Sequence, residues 1–143
     1  FSGFNLLLGD GESLLYYSNR DRQPRQLPPG IYGLSNHLLD TPWPKLLLAR
    51  ERFAAALPSL TDESAFFDLL ADDTIVADEN LPATGVPIEW ERLLSATFVK
   101  SESYGTRAST LVWQRQDGAI TVHEQCFGPN GLPLQSSVIK TSV

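Results

Sequence analysis

The chain has 143 residues, 42% of them apolar, with one cysteine, no methionine and a formal net charge of −6. That charge leaves no basic face for phosphate contacts and sets nucleic-acid binding aside. A single thiol, Cys126, closes no internal disulfide, and His37 and His123 are too far apart, without carboxylates at ligand spacing, to suggest a metal site. No apolar run approaches a membrane span, and residues 1–8 lack the basic flank of a signal peptide. A soluble chain without a cofactor, compatible with a reducing, cytoplasmic setting, is the expectation.

In chain order, residues 4–8 form an apolar run closed by Gly9-Asp10-Gly11, turn residues that tolerate positive φ. Residues 14–18 then predict the returning strand of a hairpin, rich in aromatic side chains. Residues 20–26 are polar and predict an exposed loop, and 30–35 predict a short strand delivering Asn36 at its end. A helix is expected from Asp40 or Thr41 as N-cap, with Pro42 at the first helical position. Leu46, Ala49, Phe53 and Leu57 recur at helical spacing, and Pro58 ends the run. Thr61 predicts the cap of a second helix, with Phe66, Leu69 and Leu70 on its buried face.

Residues 72–87 are acidic, carry Pro82, Gly85 and Pro87, and predict a long mobile loop. A short helix over 88–94 follows. Strands are then expected over 107–115, 119–127 and 134–141. Asp117-Gly118 turns the first hairpin and Gly128-Pro129-Asn130-Gly131 the second. Strands over 4–36, helices over 42–95 and strands over 107–141 make one α+β unit.

Two segments are unlike generic core. The first is Tyr32-Gly33-Leu34-Ser35-Asn36-His37-Leu38-Leu39-Asp40-Thr41-Pro42-Trp43-Pro44-Lys45. The second is Tyr104-Gly105-Thr106-Arg107-Ala108-Ser109-Thr110. Polar groups entering apolar segments cost free energy unless a network or a ligand satisfies them. Asn36 has two readings, a tie between a strand end and the next loop or a donor to a ligand. Arg107 reads as an edge-strand arginine or as a pocket residue. Asp40 reads as a helix cap rather than a catalytic acid, Trp43 as a core anchor rather than a ligand platform, Cys126 as a structural thiol rather than a nucleophile, and His123 as a solvent-exposed strand residue.

These segments, together with Phe1-Ser2-Gly3-Phe4-Asn5-Leu6-Leu7-Leu8-Gly9-Asp10-Gly11 and Leu15-Tyr16-Tyr17-Ser18-Asn19-Arg20, resemble the C-terminal half of the NRDE-motif family. That family is also called the transport and Golgi organisation family, and its members are similar to Ntn hydrolases. The resemblance implies a layered α+β sandwich of antiparallel sheets and helices, here without its N-terminal half, whose leading cysteine would be the nucleophile. Asn19-Arg20-Asp21 is followed by Arg22 and is not the family's signature. The absence of methionine agrees with a part of a longer protein.

By that resemblance Asn36 would donate its side-chain N–H to a developing oxyanion. Arg107 would hold a carboxylate or lower the thiol pKa, the two meeting at the rim of one cavity. Tyr32, His37, Trp43, Tyr104, Thr106 and Ser109 would line the ligand site. The implied activity is cysteine-type amide or thioester hydrolysis or acyl transfer on a small molecule. The alternatives are a non-catalytic haem or lipid carrier of the secretory pathway and an inactive interaction fragment. Implied partners are the substrate or ligand, the missing N-terminal half and, through unpaired strand edges, a second copy. Eukaryotic relatives would be associated with the Golgi, endoplasmic reticulum or mitochondria.

Overall fold

A computed structural model describes residues 3–141, so Phe1 and Ser2, which open the first of the family-like segments, lie outside the described residues. Mixed helices and two three-stranded antiparallel sheets make the chain α+β. It divides into two compact units, Phe1–Pro42 and Trp43–Val143.

In the first unit, β1 (Asn5–Gly9) pairs with β2 (Leu14–Ser18), and β2 with β3 (Arg25–Leu27). Asp10 builds the β1–β2 turn, its Oδ1 accepting from the N–H groups of Glu12 and Ser13, while Gly11 takes φ 93°. The anchor of this unit is Tyr16, which is 0% exposed. Its ring carries the Arg25 guanidinium at 5.1 Å, from the residue directly across the strand pair. β3 corrects the expectation of a loop over 20–26: Arg25 and Gln26 complete the sheet because Tyr16 and Leu15 offer them an open strand edge.

The expected strand over 30–35 is absent, and 28–43 contains no helix or strand. Pro28 and Pro29 supply no backbone N–H for a ladder, and Asp40, rather than a neighbouring strand, takes the Gly33 N–H.

In the second unit, α1 (Pro44–Ala56) begins two residues later than expected: Trp43 occupies the N-cap position and Pro44, instead of Pro42, the first helical one. Asp40 cannot cap it, since its φ of 58° is left-handed and its carboxylate bonds Gly33. A short 3-10 turn, Leu57–Ser59, follows, and α2 (Ser64–Leu70) starts after Glu63 rather than at a Thr61 cap. Asp62 takes the Ser64 N–H and hydroxyl from just outside the helix. α3 (Ile88–Ser95) matches its expectation to within a residue.

The segment between α2 and α3 holds one 3-10 turn, Asp78–Asn80, and three ion pairs tie it down. These are Arg52 to Asp72 at 2.7 Å, Lys100 to Asp73 at 2.7 Å and Arg92 to Asp78 at 2.5 Å.

The second sheet runs β4 (Ala108–Gln114), β5 (Ile120–Phe127) and β6 (Pro133–Lys140), with Gly118 at φ 83° in the β4–β5 turn. α1 and α2 pack on the face that carries Leu111. Phe66 is 1% exposed and meets Phe53 and Trp113 edge-on, with ring centroids at 5.4 and 5.0 Å. Burial of a side chain of this kind stabilises by about 1.5–3 kcal/mol.

Candidate functional site

Within the first unit, a polar network moors the 28–43 loop to the sheet. The Tyr16 hydroxyl donates to Asn5 Oδ1 at 2.8 Å and accepts the Leu39 N–H at 3.1 Å. Asn5 Nδ2 donates to the His37 carbonyl at 2.8 Å. Asp40 and Gly33 bond twice, through Asp40 N–H to the Gly33 carbonyl at 2.7 Å and Gly33 N–H to the Asp40 carboxylate at 2.8 Å. His37 Nδ1 lies 3.0 Å from the Thr41 hydroxyl, which donates to the Leu38 carbonyl. The Tyr32 hydroxyl donates to the Pro28 carbonyl at 2.8 Å.

After these bonds are made, Asn36 is left over. It is exposed, and its side-chain amide makes no hydrogen bond to the described residues. It therefore does not tie the loop. It projects a donor pair and an acceptor from a backbone that its neighbours fix.

Within the second unit, the segment 99–107 is folded back on itself. Thr106 N–H donates to the Val99 carbonyl at 2.9 Å, and Val99 N–H donates to the Thr106 hydroxyl at 2.9 Å. Gly105 makes this closeness possible, since a Cβ there would lie 2.6 Å from the Val99 carbonyl oxygen. Ser101 closes the loop tip, accepting the Tyr104 N–H at 3.1 Å and donating to the Tyr104 carbonyl.

The fold-back leaves a shallow cleft of about 50 Å³ in which Tyr104, Gly105 and Arg107 face Ser101, Gly128 and Pro129. The Tyr104 ring is 49% exposed and packs edge-on against Trp90, with centroids at 5.4 Å. Arg107 is exposed, its carbonyl accepts the Phe127 N–H at 2.9 Å, and its guanidinium has no carboxylate or hydrogen-bond partner among the described residues. A guanidinium over a cleft with no internal partner suits a carboxylate or phosphate, which it can grip with two parallel bonds.

The other expected residues fall into place around these two. Thr106 holds the loop through its hydroxyl, and Ser109 is buried at 6% exposure on β4. Trp43 is half-buried at the head of α1. Cys126 is a free, half-buried thiol on β5. His123 departs from its expected solvent exposure. It is packed edge-on against Phe67 at 4.8 Å, with Nδ1 2.7 Å from Glu63.

Asn5 and Tyr16, which moor the first loop, and Ser101, which closes the second, were not read from the sequence as site residues. An asparagine opening an apolar strand was the available signal for the first. Ser101 carries no distinguishing pattern.

Burial pushes the Lys45 ammonium pKa down from the ordinary 10.5. The ammonium donates to the Leu94 carbonyl at 2.7 Å, at the negative C-terminal end of α3.

The two loops thus leave the Asn36 amide, in the first unit, and the Arg107 guanidinium, in the second, without a partner among the described residues. The chain belongs to the Transport and Golgi organisation 2 family, whose pattern it matches over residues 1–129. The Transport and Golgi organization protein 2 homolog of Bos taurus is 36% identical over 142 residues, and that of Homo sapiens 33% over 144. The Transport and Golgi organization 2 homolog of Mus musculus is 30% identical over 144 residues. Each comparison covers 87% of this chain and 51% of the relative, so the chain spans about half the length of the curated relatives it matches. Among the described residues, no helix is long and apolar enough to cross a membrane.

Proposed function

We propose that the chain is part of a hydrolase or acyltransferase acting on the amide or thioester of a small molecule, with its cysteine nucleophile in a part of the protein outside this chain. Asn36 donates to the oxygen that gains charge as the carbonyl carbon becomes tetrahedral. In the second unit, considered by itself, the Arg107 guanidinium suits an anionic group of a ligand, with the Tyr104 and Trp90 rings beside it offering apolar contact. The observation that supports this reading is the contrast between spent and unspent polar groups. Tyr32, His37, Asp40, Thr106 and Ser101 are all engaged in fixing their loops, whereas the Asn36 amide and the Arg107 guanidinium are engaged by nothing described.

The test is turnover of small acyl amides and thioesters by the full-length protein before and after alkylation of its leading cysteine. Loss of turnover on alkylation supports the reading, and unchanged turnover overturns it. A second reading, a carrier of a lipid or haem without chemistry, is favoured by the exposed Trp90–Tyr104 pair next to an unpaired guanidinium. Such an arrangement also suits an apolar body bearing a carboxylate. Titration of the full-length protein with haem or a fatty acid separates the two: stoichiometric binding that Arg107→Ala weakens, without any turnover, selects the carrier.

A further inference from the structure

A second constellation lies on the second unit's sheet, apart from the loops just described. His123 on β5 reaches two partners at once: Nδ1 is 2.7 Å from Glu63 Oε2, and Nε2 is 3.0 Å from Ser136 Oγ on β6. Glu63 immediately precedes α2, so the helix start and two neighbouring strands fix all three groups. The Phe67 ring against the imidazole restricts its rotation.

The tautomer follows from the partners. An ionised carboxylate only accepts, so in the neutral imidazole the proton resides on Nδ1 and donates to Glu63. Nε2 then carries the lone pair, and the Ser136 hydroxyl donates to it. This is the order carboxylate, imidazole, hydroxyl in which a serine is activated as a nucleophile.

Register supplies the remaining groups. Gln125 is the direct cross-strand partner of Ser136, so both side chains share a face at the short separation of paired strands. The Gln125 side-chain amide makes no hydrogen bond to the described residues. Leu134 and Val138 flank Ser136 at two residues on either side and are 60% and 53% exposed. An apolar acyl chain would lie along that strand face.

We propose that Ser136, His123 and Glu63 form an esterase site for neutral esters of short apolar acids, with Gln125 as the oxyanion donor. Ser136 Oγ attacks the ester carbonyl carbon as its proton passes to His123 Nε2, and the carbonyl oxygen takes the negative charge against Gln125. Collapse of the tetrahedral adduct breaks the bond to the alcohol oxygen, which leaves with the proton from Nε2. Water then attacks the acyl-serine, giving one proton to Nε2. The second collapse returns that proton to Ser136 Oγ and releases the carboxylic acid. Glu63 is a positioning residue that holds the imidazole in the reactive tautomer.

This site is separate from the cysteine-dependent reading above, so its experiment uses the full-length protein with all thiols blocked by iodoacetamide. The probes are p-nitrophenyl butyrate hydrolysis and a fluorophosphonate label mapped by mass spectrometry. The expected result is a fluorophosphonate adduct on Ser136 and thiol-independent hydrolysis that falls about 100-fold or more in Ser136→Ala, as loss of nucleophilic and general-base catalysis requires.

Glu63→Gln preserves size but can offer its amide N–H to Nδ1, favouring the wrong tautomer. The expected outcome is a fall in kcat with KM unchanged and with the unfolding midpoint of the unsubstituted protein. Absence of an adduct on Ser136 in folded protein would overturn the assignment. So would an adduct that forms equally fast in Glu63→Gln, or thiol-independent hydrolysis that survives Ser136→Ala.

Discussion

The two polar loops reach the same outcome by different means. The 28–43 loop of the first unit has no regular structure and is held from outside by the sheet, through Asn5 and Tyr16. The 99–107 loop of the second unit is held from inside by its own backbone, with Gly105 allowing Val99 and Thr106 to close on each other. Each loop leaves a polar group without a partner among the described residues, the Asn36 amide in the first and the Arg107 guanidinium in the second. Stability and presentation are thus divided among different residues. Groups that fix a loop should be expensive to remove but indirect in function, and the two projecting groups should behave in the opposite way.

The largest expected effect is on turnover. Asn36→Ala in the full-length protein should lower kcat for an acyl substrate by roughly 10²–10³-fold, the range for losing an oxyanion donor. Its unfolding free energy should change by less than about 0.5 kcal/mol, as for an exposed side chain. Steady-state kinetics beside urea denaturation checks both halves.

Next in size is Gly105→Ala. The added Cβ would meet the Val99 carbonyl oxygen at 2.6 Å, so the fold-back must open, at about 1–3 kcal/mol. A value near zero would mean the second loop is not held from inside.

Tyr16→Phe is the matching test in the first unit. It leaves Asn5 Oδ1 and the Leu39 N–H without their partner, costing about 1–2 kcal/mol. If the 28–43 loop is moored as described, hydrogen exchange at Leu39 should accelerate more than exchange in β1.

The smallest effect is electrostatic and belongs to the second unit. Thr74, through its side chain and backbone N–H, and the Arg52 guanidinium hold the Asp72 carboxyl below its ordinary 3.8. A folded-state pKa below the unfolded value means the unfolded chain binds more protons between the two. The stabilisation is therefore complete above the ordinary carboxylate value and disappears as pH falls through the lowered one. Asp72→Asn should flatten that part of the stability profile and leave neutral-pH turnover intact.

Regular elements were legible where periodicity and turn chemistry agreed. The hairpin of β1 and β2 follows from two apolar runs around Gly9-Asp10-Gly11, and β4 and β5 follow from Asp117-Gly118. The failures have a common cause in long-range pairing. β3 is polar and short, and only the open edge of β2 makes it a strand. The strand expected over 30–35 has a suitable local pattern, but its N–H groups find Asp40 instead of a neighbour. His123 looked like a surface residue because Glu63 is sixty positions away in sequence and Ser136 thirteen, distances that no local pattern reads. Asn36 and Arg107 stand out because polar groups entering apolar segments cost free energy unless a network or a ligand satisfies them. Which of their neighbours would be consumed by the loops required the fold.

The most direct test is to compare kcat/KM and unfolding midpoint for Arg107→Ala and Thr106→Val in the full-length protein. Arg107→Ala should depress kcat/KM for an anionic acyl substrate while leaving the midpoint where it was, and Thr106→Val should lower the midpoint. An Arg107→Ala protein that loses stability and keeps its full kcat/KM would contradict the division of labour on which the account rests.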